Sequence, residues 1–153
     1  MQPTDYKMLL EQAKAITAGE PDLIANLSNL SALVYETLND VNWVGFYLTR
    51  APNTLVLGPF QGKVACLRIP FGRGVCGTAA TTRETQLVID VHEFEGHIAC
   101  DAASNSEVVV PLIVDGEVVG VFDLDSPLVG RFTQDDADGL TALGRFIEQL
   151  NWR

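Results

Sequence analysis

The sequence is short of basic residues, of histidine and of long apolar runs, and each shortage narrows what the chain can do. Ten lysines and arginines stand against twenty aspartates and glutamates, a formal net charge of −10. So acidic a surface repels phosphate backbones and anionic lipid headgroups, which speaks against nucleic acid and membranes as partners. No apolar stretch approaches the roughly 20 residues that a membrane-spanning helix needs. The opening residues, Met1 to Lys7, carry acid and polar groups where a secretion signal places basic and then apolar ones. The expectation is a cytoplasmic protein.

Cysteine and histidine are scarce as well, with three of the former (Cys66, Cys76, Cys100) and two of the latter (His92, His97). An odd cysteine count with no secretion signal argues against a permanent disulfide framework. No C-x2-C pair occurs, and structural zinc normally uses such close ligand pairs, so no metal is expected. The glycine-rich Gly72-Arg73-Gly74-Val75-Cys76-Gly77 lacks both the lysine of a phosphate loop and the βαβ setting of a dinucleotide fingerprint. It reads as a tight turn leading into a helix.

What is present reads as one domain over residues 1–153, without repeats or an interdomain linker. Met8, Leu9, Leu10, Ala13 and Ile16 recur at helical spacing, and Gly19-Glu20-Pro21 breaks the pattern. A second helical stripe runs Leu23, Leu27, Leu30, Val34, Leu38. The period then changes. Trp43 to Leu48, Leu55 to Phe60 and Val64 to Ile69 read as strands, a short helix follows through Ala79–Thr81, and Leu87 to Val91 reads as a fourth strand. His92 to Ser106 reads as a long loop, a length that is commonly functional. Two β-branched runs flank Asp115-Gly116, a strong hairpin signal. The last helix starts at Thr133, a good N-cap followed by Asp135 and Asp136, with Leu140, Leu143, Ile147 and Leu150 on its apolar stripe. The pattern is an α+β domain around one largely antiparallel sheet, whose terminal helices pack together or against a second copy as a homodimer.

Candidate chemistry centres on thiols and acids. Cys100 lies in the mixed loop His97-Ile98-Ala99-Cys100-Asp101, where a reactive and an inert thiol are both compatible with the residues. By local pattern, Cys66 is a small core residue on a strand and Cys76 a helix-packing one. Asp123 and Asp125 interrupt an apolar strand at i and i+2, so both project from one face. They mark either a strand end turning into solvent or an acidic pair in a pocket. A hairpin through Asp115-Gly116 would bring Glu107 beside them. Trp43 and Tyr47 read as core or cavity-lining aromatics, able to hold an apolar methyl thioether if they line a pocket.

Four segments taken together are similar to one family. Trp43-Val44-Gly45-Phe46-Tyr47, Gly72-Arg73-Gly74-Val75-Cys76-Gly77, His97-Ile98-Ala99-Cys100-Asp101 and Val121-Phe122-Asp123-Leu124-Asp125 resemble the free methionine-(R)-sulfoxide reductases, which are single-domain GAF proteins. The resemblance implies a six-stranded, largely antiparallel sheet with helices packed mainly on one face and a pocket on the other. It implies Cys100 as catalytic thiol, Cys66 as principal resolving cysteine and Cys76 as an alternative recycling thiol, with Glu107, Asp123 and Asp125 binding substrate. It also implies thioredoxin as external reductant and no metal, flavin or nicotinamide. Glu107 and Asp125 are expected near the sulfoxide oxygen and Asp123 toward the α-ammonium, with backbone N–H groups near Cys100 taking the carboxylate. Two other readings stand beside this one: a GAF sensor that binds a small ligand, opposed by the acidic pocket if that ligand carries phosphate, and a redox sensor whose disulfide is the signal.

Overall fold

The computed structural model describes residues 3–96 and 104–153. Cys100 and its neighbour His97 lie outside the described residues. Two helices open the fold, α1 (Tyr6–Thr17) and α2 (Leu23–Thr37). Both begin on an aspartate whose side chain accepts a backbone N–H, Asp5 from Met8 and Asp22 from Ala25. Strands β1 (Trp43–Ala51), β2 (Thr54–Gly62) and β3 (Arg68–Pro70) follow, then α3 (Gly74–Thr82) and β4 (Gln86–Val88). A 3-10 turn at Val91–Glu93 precedes β5 (Ser106–Val114), β6 (Glu117–Ser126) and α4 (Gln134–Ile147).

The six strands form one sheet in the order β3-β2-β1-β6-β5-β4, every neighbouring pair antiparallel. Alternation along β1, β5 and β6 gives the sheet two unlike faces. Val44, Phe46, Leu48, Val108, Val110, Leu112, Phe122 and Leu124 pack with Leu9, Ala13, Leu27, Leu30, Val34, Leu140, Leu143 and Ile147 of α1, α2 and α4. Phe46 and Phe122 stack at the centre of this layer, 4.8 Å between centroids. The other face carries α3 and a smaller cluster around Trp43, Tyr47, Leu55, Ile69, Val109 and Val121. Helices thus cover mainly one face, and the opposite face is left to a cleft.

Local sequence rules account for most element boundaries. Asp115 and Gly116 both have positive φ, 52° and 78°, the two-residue turn whose twist matches antiparallel strands. Thr133 caps α4 in a reciprocal capping box with Asp136. The Asp136 carboxylate also accepts from the Tyr6 hydroxyl at 2.6 Å and pairs with Arg131, so the first and last helices pack within one chain.

Three expectations change. Val64–Ile69 is a strand only from Arg68 onward: residues 63–67 leave the sheet, with Val64 88% and Leu67 64% exposed. Apolar alternation there does not report burial: Val64 and Ala65 line the cleft, and the segment rejoins β2 at Leu67, whose carbonyl oxygen accepts from Leu57 N–H at 2.9 Å. Leu87–Val91 is strand only to Val88, after which the Asp90 side chain accepts from His92 N–H and starts the 3-10 turn. In α1 the buried stripe is Leu9, Ala13 and Thr17, while Met8 and Ile16 are exposed.

Candidate active site

Strand register builds the site. Trp43 pairs with Asp125, which pairs with Glu107; one step along, Gly45 pairs with Asp123, which pairs with Val109; Tyr47 pairs with Val121. These residues alternate with the helix-facing set, so Trp43, Tyr47, Glu107, Asp123 and Asp125 all line the cleft on the second face. Its cavity volume is about 50 Å³, and it opens to solvent. The expected convergence of Glu107 with the two aspartates is therefore present. The solvent-facing alternative is overturned: Glu107 is 7% and Asp123 4% exposed, because β6 continues to Ser126 as a central strand between β1 and β5.

Trp43, Tyr47 and Phe60 form a stacked aromatic wall, with centroids 5.9 Å apart for Trp43–Tyr47 and 5.2 Å for Trp43–Phe60. Their polar ends hold the segment that leaves the sheet. Trp43 Nε1–H donates to the Lys63 carbonyl oxygen at 3.1 Å, and the Tyr47 hydroxyl donates to that of Cys66 at 2.9 Å. Cys66 thus lies in an irregular stretch at the rim, in place of the core strand position expected for it. It is disulfide-bonded, whereas Cys76 is a free thiol.

Cys76 is on the first turn of α3 and faces the acids. Gly72 and Gly74 take positive φ, 86° and 66°, which turns the chain sharply from β3 into the helix. A side chain at Gly77 would meet the Pro70 carbonyl oxygen at 2.6 Å, so only glycine lets α3 approach so closely. Cys76 is 4% exposed.

Burial and mutual repulsion set the electrostatics. Desolvation first, and then the charges of Asp123 and Asp125, push the Glu107 carboxyl well above the usual carboxylate range. Asp123 is also raised by burial, opposed by hydrogen bonds from Glu107 and Cys76 that favour its anion. Burial and the nearby acids push the Cys76 thiol up too. Glu107 is therefore the group that keeps its proton, and Asp123 is the acceptor. Asp123 Oδ1 is buried with no hydrogen-bond partner among the described residues. The cleft is shaped for a cation and holds a carboxylic acid that can donate.

The fold and site now meet known proteins. The GAF-domain family matches residues 22–150. The free methionine-R-sulfoxide reductase of Escherichia coli (strain K12) is 55% identical over 145 residues, covering 95% of this chain and 87% of that protein. The chain belongs to the free methionine-R-sulfoxide reductases, oxidoreductases built on a GAF domain. Among solved members of that family, fRMsr of Staphylococcus aureus in complex with substrate matches with a TM-score of 0.92 at 50% identity, over 99% of this chain and 98% of that one. The free methionine-R-sulfoxide reductase from Neisseria meningitidis in complex with its substrate matches at 0.91 and 46%, over 94% and 86%.

Two polar cleft residues were not singled out as site candidates from the sequence. Arg73 lines the cleft, and so does Ser104, whose buried Oγ has no partner among the described residues. Arg73 had a local signal in its place within the glycine-rich turn, three residues before Cys76. Ser104 had none, since a serine in a polar loop looks solvated. Among the described residues no helix is long and apolar enough to cross a membrane.

Proposed function

We propose that this chain reduces free L-methionine-(R)-sulfoxide to L-methionine with Cys100 as nucleophile. One observation carries the reading: three acids, two of them deeply buried, converge at the base of a cleft walled by Trp43 and Tyr47. Buried carboxylates without a cation are costly, so such a site favours a ligand that brings an ammonium group and rejects one that lacks it. Free methionine sulfoxide has that group; a methionine within a peptide does not. The aromatic wall suits the methyl group on sulfur.

The Cys100 thiolate attacks the sulfoxide sulfur while Glu107 gives its proton to the departing oxygen. The substrate's S–O bond breaks as the protonated oxygen passes to the Cys100 sulfur, so methionine leaves as the thioether and Cys100 becomes a sulfenic acid. The Cys66 thiol condenses with it, releasing water and forming a disulfide, which a thioredoxin dithiol then reduces by exchange. The disulfide-bonded state of Cys66, beside a free Cys76 with a raised thiol pKa, favours Cys66 as first resolver and leaves Cys76 a secondary recycling role. Asp123, whose Oδ1 has no partner among the described residues, is assigned to the ammonium, and Glu107 with Asp125 to the sulfoxide oxygen. None of these steps calls for a metal, flavin or nicotinamide. Thiol chemistry of this kind suits a reducing, cytoplasmic compartment.

The test is thioredoxin-coupled NADPH consumption with the free (R) substrate, its (S) epimer and the N-acetylated (R) form. Turnover of the free (R) form alone, abolished by Cys100→Ser, is expected. Equal turnover of the N-acetylated form would sink the ammonium assignment, and no turnover of any would leave a sensor.

A further inference from the structure

Cys76 has a neighbourhood that its secondary recycling role does not explain. Its Sγ and one carboxylate oxygen each from Glu107 and Asp123 lie within 4.8 Å of one another, and all three residues are buried. They come from α3, β5 and β6, which is why spacing in the sequence shows no ligand pair. Asp123, a cleft-lining residue only 4% exposed, keeps its buried Oδ1 without a hydrogen-bond partner among the described residues.

We propose that Cys76, Glu107 and Asp123 form a three-ligand site for a thiophilic divalent cation, zinc or cadmium, which inhibits the reductase by taking the place of the substrate's ammonium group. Zinc binds thiolate sulfur at about 2.3 Å and carboxylate oxygen at about 2.0–2.2 Å in tetrahedral geometry. Three donors this close need only side-chain adjustment to reach it, and the fourth position faces the open cleft, where water completes the shell. On binding, the Cys76 thiol and Glu107 each release a proton to solvent and no electron moves. The cation offsets the mutual repulsion of the buried acids, as the substrate's ammonium does. Magnesium and calcium fit poorly, because both require more oxygen ligands and gain little from a thiolate. The site itself rests on geometry alone; only the inhibition clause rests on the proposed reaction.

The experiment uses a Cys66→Ser/Cys100→Ser variant, in which Cys76 is the sole thiol and reductase turnover is not measured. Cadmium is titrated in, followed by thiolate-to-cadmium charge-transfer absorption and by calorimetry. Saturation at one cadmium per chain is expected, unaffected by excess magnesium and weakened by free L-methionine, which carries the ammonium. Adding Asp123→Asn should keep the band but lower the affinity by about tenfold or more, the loss of one charged contact. A separate Cys76→Ala change should remove the band. No saturable band, or a band whose affinity Asp123→Asn leaves unchanged, would overturn the site. Cadmium binding indifferent to methionine would overturn the inhibition. Either failure leaves the coupled reductase assay untouched, so the two readings fail separately.

Discussion

The Tyr47 hydroxyl donates a 2.9 Å hydrogen bond to the carbonyl oxygen of Cys66, so a central-strand aromatic holds the rim segment that carries the disulfide-bonded cysteine. The same ring stacks on Trp43 in the cleft wall. One side chain thereby ties the shape of the cleft to the position of Cys66, the proposed resolving cysteine.

Tyr47→Phe keeps the wall and removes that tether. The hydrogen bond is worth about 0.5–1.5 kcal/mol. The expected result is a fall of roughly two- to tenfold in steady-state kcat, with single-turnover methionine release little changed. Equal slowing of both would show that Tyr47 acts on the sulfoxide and not through Cys66.

Glu107→Gln tests the proton donor. Loss of a general acid should lower kcat by about 10²- to 10⁴-fold. On the proposed mechanism the acid form is the active one, so activity should decline as pH rises through the raised Glu107 pKa, and the variant should lose that alkaline limb.

The same raised carboxyl affects stability. Glu107 holds a proton in the folded state that the unfolded chain has already released, so folding stability falls as pH rises from the ordinary carboxylate range through its raised value. Glu107→Gln should therefore have a higher Tm than wild type at neutral pH. The gap should close near pH 4, which thermal melts across pH would read; a gap independent of pH would contradict the assignment.

Asp123→Asn removes the charge assigned to the ammonium. KM for the free substrate should rise about 10- to 100-fold, as for loss of a charged hydrogen bond. The preference for the free over the N-acetylated substrate should shrink in step. A rise in KM with that preference intact would place the ammonium elsewhere.

Away from the cleft, Asp136→Ala would break the capping box, the Tyr6 contact and the pair with the equally buried Arg131 together. Removing one partner of a buried pair costs about 3 kcal/mol or more. The variant should melt roughly 6–12 °C lower, with kcat per folded molecule unchanged.

Much of the fold was legible because local physics decides it. The helix starts at Asp5, Asp22 and Thr133 follow from side-chain capping, and the hairpin follows from Asp115-Gly116. Once the hairpin is placed, its register carries Glu107 to Asp125, so part of the site could be read as well. The misreadings fell where a distant contact overrides the local pattern. Val64 to Leu67 alternates like a strand, yet Trp43 and Tyr47 draw its backbone off the sheet. Met8 and Ile16 are apolar at helical spacing, yet the packing of α1 against α2 and α4 turns them outward.

By itself the sequence determined the order of elements, the alternation that separates a helix-facing from a cleft-facing set, and the residue types that resemble the reductase family. These are local properties, encoded within a few residues of each position. Only the tertiary structure decided that Asp123 is buried and not solvated, that Cys76 faces the acids, that Cys66 rides at the rim, and that Arg73 and Ser104 join the cleft. Burial and pKa depend on which strands flank a residue and which helix covers it, and those neighbours are set by contacts far apart in the chain.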